Sequence, residues 1–181
     1  MMNIDVYRES IETYTGQIVR PLLMRLRDLD IRDIAHALSM KCRYTGHCQS
    51  YFSVAQHSVQ MSLFDLPGTA EWRLMHDVGE AYLPDIASPI KHRFPLIVEA
   101  EKHILNLVRE KWSLPPYDFD EVHKADVAMG QWEAHNLMKR VAGFEWFSHF
   151  NPLDGTPLMS WYPGLAEHMF LERAERLGIQ A

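Results

Sequence analysis

The chain has 181 residues, 47% of them apolar and 23% charged, which is the size and balance of one domain with a full hydrophobic core. Its net charge of −6, with ten His taken as neutral, argues against the basic stripe of a general nucleic-acid-binding surface, so no polymer partner is expected. A small anion is not excluded, because a few local cations make one positive pocket on an acidic protein.

Tyr14-Thr15-Gly16 and Pro21 interrupt the start of the chain, which predicts an irregular or partly stranded lead-in over residues 1–28. The opening MMNIDVYRES is polar, without the apolar run of a signal peptide, and no uninterrupted apolar run of about 18 residues occurs anywhere. The expected setting is the cytoplasm, with no membrane partner. Asp30 is placed to cap a helix through Ile31, Ile34, Ala35 and Leu38. Arg43-Tyr44-Thr45-Gly46-His47 reads as a loop around a glycine. Cys42 and Cys48 lack zinc-knuckle spacing and are expected to be two reduced thiols.

Ser53 is a good N-cap for a helix with Val54, His57, Val59, Met61 and Leu63, stopped by Leu66-Pro67-Gly68-Thr69. So short a loop suits an antiparallel helix pair. The partner helix is predicted from Ala70 to Tyr82, with Trp72, Leu74, Met75, Val78 and Ala81 as its apolar side and Pro84 after it. Pro95 opens a helix through Ile97, Ile104, Leu105 and Val108 to about Trp112. Asp118 or Asp120 opens the next, through Val122, Ala125, Val127, Met129 and Trp132 to about Leu137. Residues 141–163 read as irregular, and a last amphipathic helix spans roughly Leu165 to Leu177. Nothing repeats and nothing reads as a linker. The expected architecture is a single all-α domain, its core about residues 30–140.

The chemistry gathers in His57, the doublet His76-Asp77, and Asp126. A histidine on a half-buried helix is commonly a hydrogen-bonded core residue, so His57 alone says little. His76, Asp77 and Glu80, however, sit among Leu74, Met75, Val78 and Ala81. Burying those ionisable groups without a counter-charge costs on the order of several kcal/mol per charge. A divalent cation answers that need. Two imidazoles and two carboxylates suit Mn, Fe, Co or Zn, because they mix borderline nitrogen with hard oxygen. Asp126 is weak evidence by itself, although Ala125, Val127 and Ala128 around it suggest an inward side chain.

Asp85, in Leu83-Pro84-Asp85, is either a turn residue or a partner of Glu80 in handling protons. Paired carboxylates near a metal have proton affinities driven apart, which acid and base roles require. Arg43 and Lys91 are the candidates for binding phosphate oxygens, Arg as a planar fork and Lys as a point charge. Tyr44 is read as a stacking residue for a base or as core.

Arg43-Tyr44-Thr45-Gly46-His47, Ser53-Val54-Ala55-Gln56-His57-Ser58-Val59 and the stretch from Met75-His76-Asp77 through Glu80 and Asp85 to Lys91 together resemble the HD-domain phosphohydrolases. They look most like the branch holding bacterial 5′-deoxynucleotidases and small phage-encoded dATP triphosphohydrolases. The resemblance runs from about Thr13 to Asp126. It implies an HD-type helical bundle, commonly a dimer or larger homo-oligomer. It further implies metal ligation by His57, His76, Asp77 and Asp126, catalytic support from Glu80 and Asp85, and phosphate contacts from Arg43 and Lys91. Gln56 departs from the Glu that many relatives carry before the first ligand His, which puts one contact around the ligands in doubt.

The expected activity is hydrolysis of a phosphoester or phosphoanhydride bond in a 2′-deoxynucleotide, with a divalent transition metal as cofactor and a small nucleotide as partner. Two alternatives stand beside it. One is hydrolysis of a signalling nucleotide such as an alarmone or cyclic dinucleotide. The other is a helical module that binds nucleotide without turnover.

Overall fold

The computed structural model describes residues 8–139 and 158–180. The chain enters through a small hairpin in which β1 (Ile11–Glu12) pairs antiparallel with β2 (Ile18–Val19), Ile11 opposite Val19. Gly16 turns it at a φ of 83°, a left-handed conformation that glycine adopts without strain. Thr15 ties the turn to the helix beyond it, donating its N–H and hydroxyl to the Asp33 carboxylate at 2.7 and 2.9 Å. Two single turns of 3₁₀ helix, Pro21–Leu23 and Leu26–Asp28, complete the lead-in. Over residues 8–28 this is the partly stranded start expected; residues 1–7 of that expected lead-in lie outside the described residues.

Seven α-helices follow among the described residues. α1 (Ile31–Met40) begins where Asp30 accepts the Arg32 N–H, and it buries Ile31, Ile34, Ala35 and Leu38. α2 (Val54–Leu63) begins where Ser53 accepts the Gln56 N–H. Every residue of α2 from Val54 to Val59 is buried, and α1 packs around it together with the later helices Ala70–Met75, Phe119–Leu137 and Pro163–Arg176. A helix enclosed on most sides needs no polar stripe, and only its last turn, at Leu63, faces water. α3 (Ala70–Met75) is capped by the Thr69 hydroxyl. α4 (Ser88–Lys91) is one turn, and α5 (Pro95–Lys111) starts on its proline. α6 (Phe119–Leu137) is capped by Asp118, which accepts the Glu121 N–H. α7 (Pro163–Arg176) lies across α1 and α2. Val127, expected on the apolar side of α6, is turned toward solvent.

One predicted helix is corrected. The segment expected to run unbroken from Ala70 to Tyr82 stops being α-helical after Met75, turns at His76 and Asp77, and resumes as a 3₁₀ turn over Val78–Ala81. Two outside groups hold that tighter turn. The Lys41 ammonium donates to the carbonyls of Glu80 and Leu83, which tethers the turn to the end of α1. Gly79 lets α5 approach so closely that a Cβ there would lie 3.2 Å from Glu101 Cγ. Neither constraint is local in sequence.

The expected irregular stretch 141–163 falls largely outside the described residues; of its described part, residues 158–162 carry no regular element and Pro163 already opens the last helix. Cys42 and Cys48 are free thiols. Among the described residues, no helix is long and apolar enough to cross a membrane.

Candidate metal centre

The site forms where the C-terminal ends of α2's first turn and of α3 face the middle of α6. His57 is fully buried in α2, His76 follows the last turn of α3, and Asp126 stands midway along α6 with 36% of its side chain exposed. Their nearest ligand atoms all lie within 4.8 Å of one another. His57 Nε2 is 3.3 Å from His76 Nε2 and 3.2 Å from Asp126 Oδ1, and His76 Nε2 is 3.9 Å from the same oxygen. Asp77 lies beside them, its Oδ2 3.2 Å from His76 Nε2 and 4.0 Å from His57 Nε2, but it falls outside the group whose ligand atoms are all within 4.8 Å of one another. Adjacent residues of a continuous helix diverge by roughly 100°. Here Asp77 has left the helix, with φ −97° and ψ 12°, and the doublet converges.

The hydrogen bonds behind the rings decide what the rings present. His57 Nδ1 is 2.6 Å from Glu133 Oε1, and His76 Nδ1 is 3.0 Å from the Arg73 carbonyl. A carbonyl accepts only, and so does an ionised carboxylate, so both Nδ1 atoms donate, and in the neutral rings both Nε2 atoms carry lone pairs toward the carboxylates. Facing carboxylates in this way calls for positive charge between them, which either a proton on His57 or a bound cation supplies.

A divalent cation fits by distance and by charge. Ligands about 2.1 Å from a central ion, at tetrahedral or octahedral angles, lie about 3.0–4.2 Å from one another. The three separations among His57 Nε2, His76 Nε2 and Asp126 Oδ1 fall in that range. With both imidazoles neutral, the carboxylates of Asp77, Asp126 and Glu133 outnumber the guanidinium of Arg43, an excess of negative charge that suits a divalent cation. The proton affinities tell the same story. Burial and Arg43 work against a charged His57, yet Glu133 and Asp126 prevail and push it up to about 9. Burial also opposes the charge of Asp77, but His76, His57 and Arg43 hold its carboxyl well below the usual range.

Arg43 reaches this cluster from the loop after α1, with Nε 2.9 Å from Glu133 Oε2, NH1 3.5 Å from Asp77 and NH2 3.8 Å from Asp126. Burial disfavours its charge, but Glu133, Asp126 and Asp77 more than restore it. The backbone that aims it is unusual, because Tyr44 and Thr45 both take positive φ, 56° and 53°. Tyr44 holds that bend by donating its hydroxyl to the Gly130 carbonyl at 3.0 Å, with Glu133 Oε2 at 3.3 Å. Its polar end is therefore anchored to α6.

Glu80 is half-buried beside the cluster; burial, then the charges of Asp77 and Asp85, hold its carboxyl well above the usual range. Asp85 is half-buried and close enough to be felt by both Glu80 and Lys41. Lys91 pairs with Glu101 at 2.7 Å, and Glu80 and Asp77 also lie within its field. Gln56 does not face the ligands. It accepts the Trp161 N–H and donates to the Met159 carbonyl, pinning the segment before α7. Glu133 supplies the carboxylate behind His57 instead. Sequence reasoning missed Glu133, although its place seven residues after Asp126 puts both on one face of α6. It also missed Arg73, which fixes His76 through its carbonyl while its guanidinium binds the carbonyls of Met61, Phe64 and Leu66 at the end of α2.

No known protein-family model matches the chain. It is 32% identical over 127 residues to an uncharacterized protein of Rhodobacter capsulatus, covering 65% of each chain. It is 36% identical over 169 residues to the uncharacterized protein YfdR of Escherichia coli (strain K12), covering 90% of this chain and 92% of that one. At that identity and coverage, the chain belongs to the YfdR family.

Proposed function

We propose that the protein is a metal-dependent phosphohydrolase acting on 2′-deoxynucleotides. The observation that carries this reading is the meeting of His57 Nε2, His76 Nε2 and Asp126 Oδ1 within 4.8 Å, each from a different helical segment. When bound there, a divalent cation such as Mn, Fe, Co or Zn polarises a phosphoryl oxygen and lowers the pKa of water. The protein's own groups do the rest. Glu133 and the Arg73 carbonyl keep the two imidazoles turned inward. Glu80, whose carboxyl is held well above the usual range by burial and by Asp77 and Asp85, handles proton transfer with Asp85 at the phosphate. Arg43 offsets the negative charge that develops on the phosphoryl oxygens, and Lys91 adds positive field from the far side.

The choice of deoxynucleotides rests on the resemblance carried by the segments around Arg43, His57 and His76-Asp77. The test is a chromatographic product assay on dNMPs and dNTPs with Mn, Co or Zn, with an alarmone and a cyclic dinucleotide as further substrates. Nucleoside plus phosphate from a dNMP, or nucleoside plus tripolyphosphate from a dNTP, is the expected outcome. Metal-loaded protein that hydrolyses none of the deoxynucleotides contradicts the proposal.

A further inference from the structure

A row of aromatic rings leads from buried Trp72 to the exposed start of α6, the helix that carries Asp126. Trp72 is fully buried in α3, one turn before His76, and its Nε1 donates to the Pro115 carbonyl at 2.8 Å. Tyr117 stands edge-on to Trp72 with centroids 4.6 Å apart, and Phe119 stands edge-on to Tyr117 at 6.4 Å. His123 then stacks on Phe119 with centroids 5.6 Å apart and planes only 10° from parallel. The row joins the two elements that supply His76 and Asp126.

The last two rings are out of place for a structural role alone. Phe119 is 62% exposed, and His123 is also exposed. A large aromatic side chain left in water on the helix that carries Asp126 offers a flat face to something flat. Phe119, His123 and Asp126 fall at i, i+4 and i+7 on α6, so they share one helix face. By the 1.5 Å rise per residue, the two rings lie about 5 and about 10 Å along the axis from Asp126. That span suits a pentose joining a phosphate at the ligands to a base on the rings. Tyr117, the second ring of the row, lies within the fields of both Asp77 and Asp126.

We infer that Phe119 and His123 form the seat of the substrate's nucleobase, with Tyr117 at the level of the sugar. This rests on the functional reading above and adds to it the part of the protein that distinguishes a nucleotide from a bare sugar phosphate. Stacking on an aromatic face is tolerant of base identity, because every base has a π-face. The seat therefore gives affinity for nucleotides as a class.

The test compares kcat/KM for a deoxynucleoside 5′-monophosphate with that for deoxyribose 5-phosphate, the same ester without its base. In the wild type the nucleotide is preferred. F119A is expected to lower that preference about tenfold, chiefly through KM for the nucleotide, and F119Y is expected to restore it. H123A is expected to act in the same direction. Because Phe119 is exposed, its truncation leaves the core intact, and metal content of the variant checks that the centre is formed. A wild type active on nucleotides whose preference is the same in F119A and H123A overturns the base seat alone. Metal-loaded wild type without activity on either ester overturns the functional reading and the seat with it.

Discussion

Glu133 sets the orientation of the whole centre from a position with no exposure to water. It accepts from His57 Nδ1 at 2.6 Å and faces Arg43 Nε at 2.9 Å, so one carboxylate fixes a ligand and the neighbouring cation together. A carboxylate buried without such partners costs on the order of several kcal/mol, which is why the three groups are found as a set. Groups that orient ligand histidines typically change metal affinity 10- to 100-fold when replaced. Glu133→Gln is therefore expected to weaken Co or Mn binding by about that factor, read by competition titration against a coloured chelator. Unchanged affinity would show that Glu133 serves the fold and not the ligand. Of the clustered residues, Asp126 stood out mainly through the family resemblance, whereas His76 was legible in the sequence because it belongs to an adjacent His-Asp pair among apolar neighbours. Glu133 was not, since a single Glu on a long helix reads as surface until its register with Asp126 is considered.

Among the elements, the contrast between α1 and α3 shows what local sequence decides. The caps at Asp30, Ser53 and Asp118 are made by side chains two or three residues from the groups they satisfy, and each stands where its residue type predicts. The break after Met75 is different in kind. It depends on Lys41 from the end of α1 and on the approach of α5 at Gly79, and no window of sequence around His76 contains either. The cap at Asp30 also gives a pH dependence. Its hydrogen bond to Arg32 outweighs partial burial and lowers its pKa from the ordinary 3.8. A lowered carboxyl stabilises the fold above the unfolded pKa, and that contribution disappears as pH falls through the folded one. Asp30→Ala is expected to cost about 1 kcal/mol at neutral pH, shown as a lower urea midpoint. The gap should narrow as pH falls below about 4, where the unfolded carboxyl takes up its proton, and close as the native one is protonated lower still. A gap as wide in strong acid as at neutrality would assign the loss to something other than the charged cap.

At the scale of the molecule, the helices exist to bring residues 57, 76, 77 and 126 to one point. α2 is sealed inside the bundle, α3 packs against it through the short loop at Pro67-Gly68, and α6 crosses both. The all-helical architecture and the order of the helices followed from hydrophobic spacing and from the prolines and caps between them. The crossing that places Asp126 opposite His57 did not, because packing angles between helices leave no trace in either helix alone. The most direct measurement is a crystal soaked in Mn or Co, with anomalous differences recorded at the metal edge. One peak is expected, about 2.0–2.3 Å from His57 Nε2, His76 Nε2 and the carboxylates of Asp77 and Asp126. A map with those four side chains in place and no peak among them would contradict the metal centre, and with it the hydrolase built upon it.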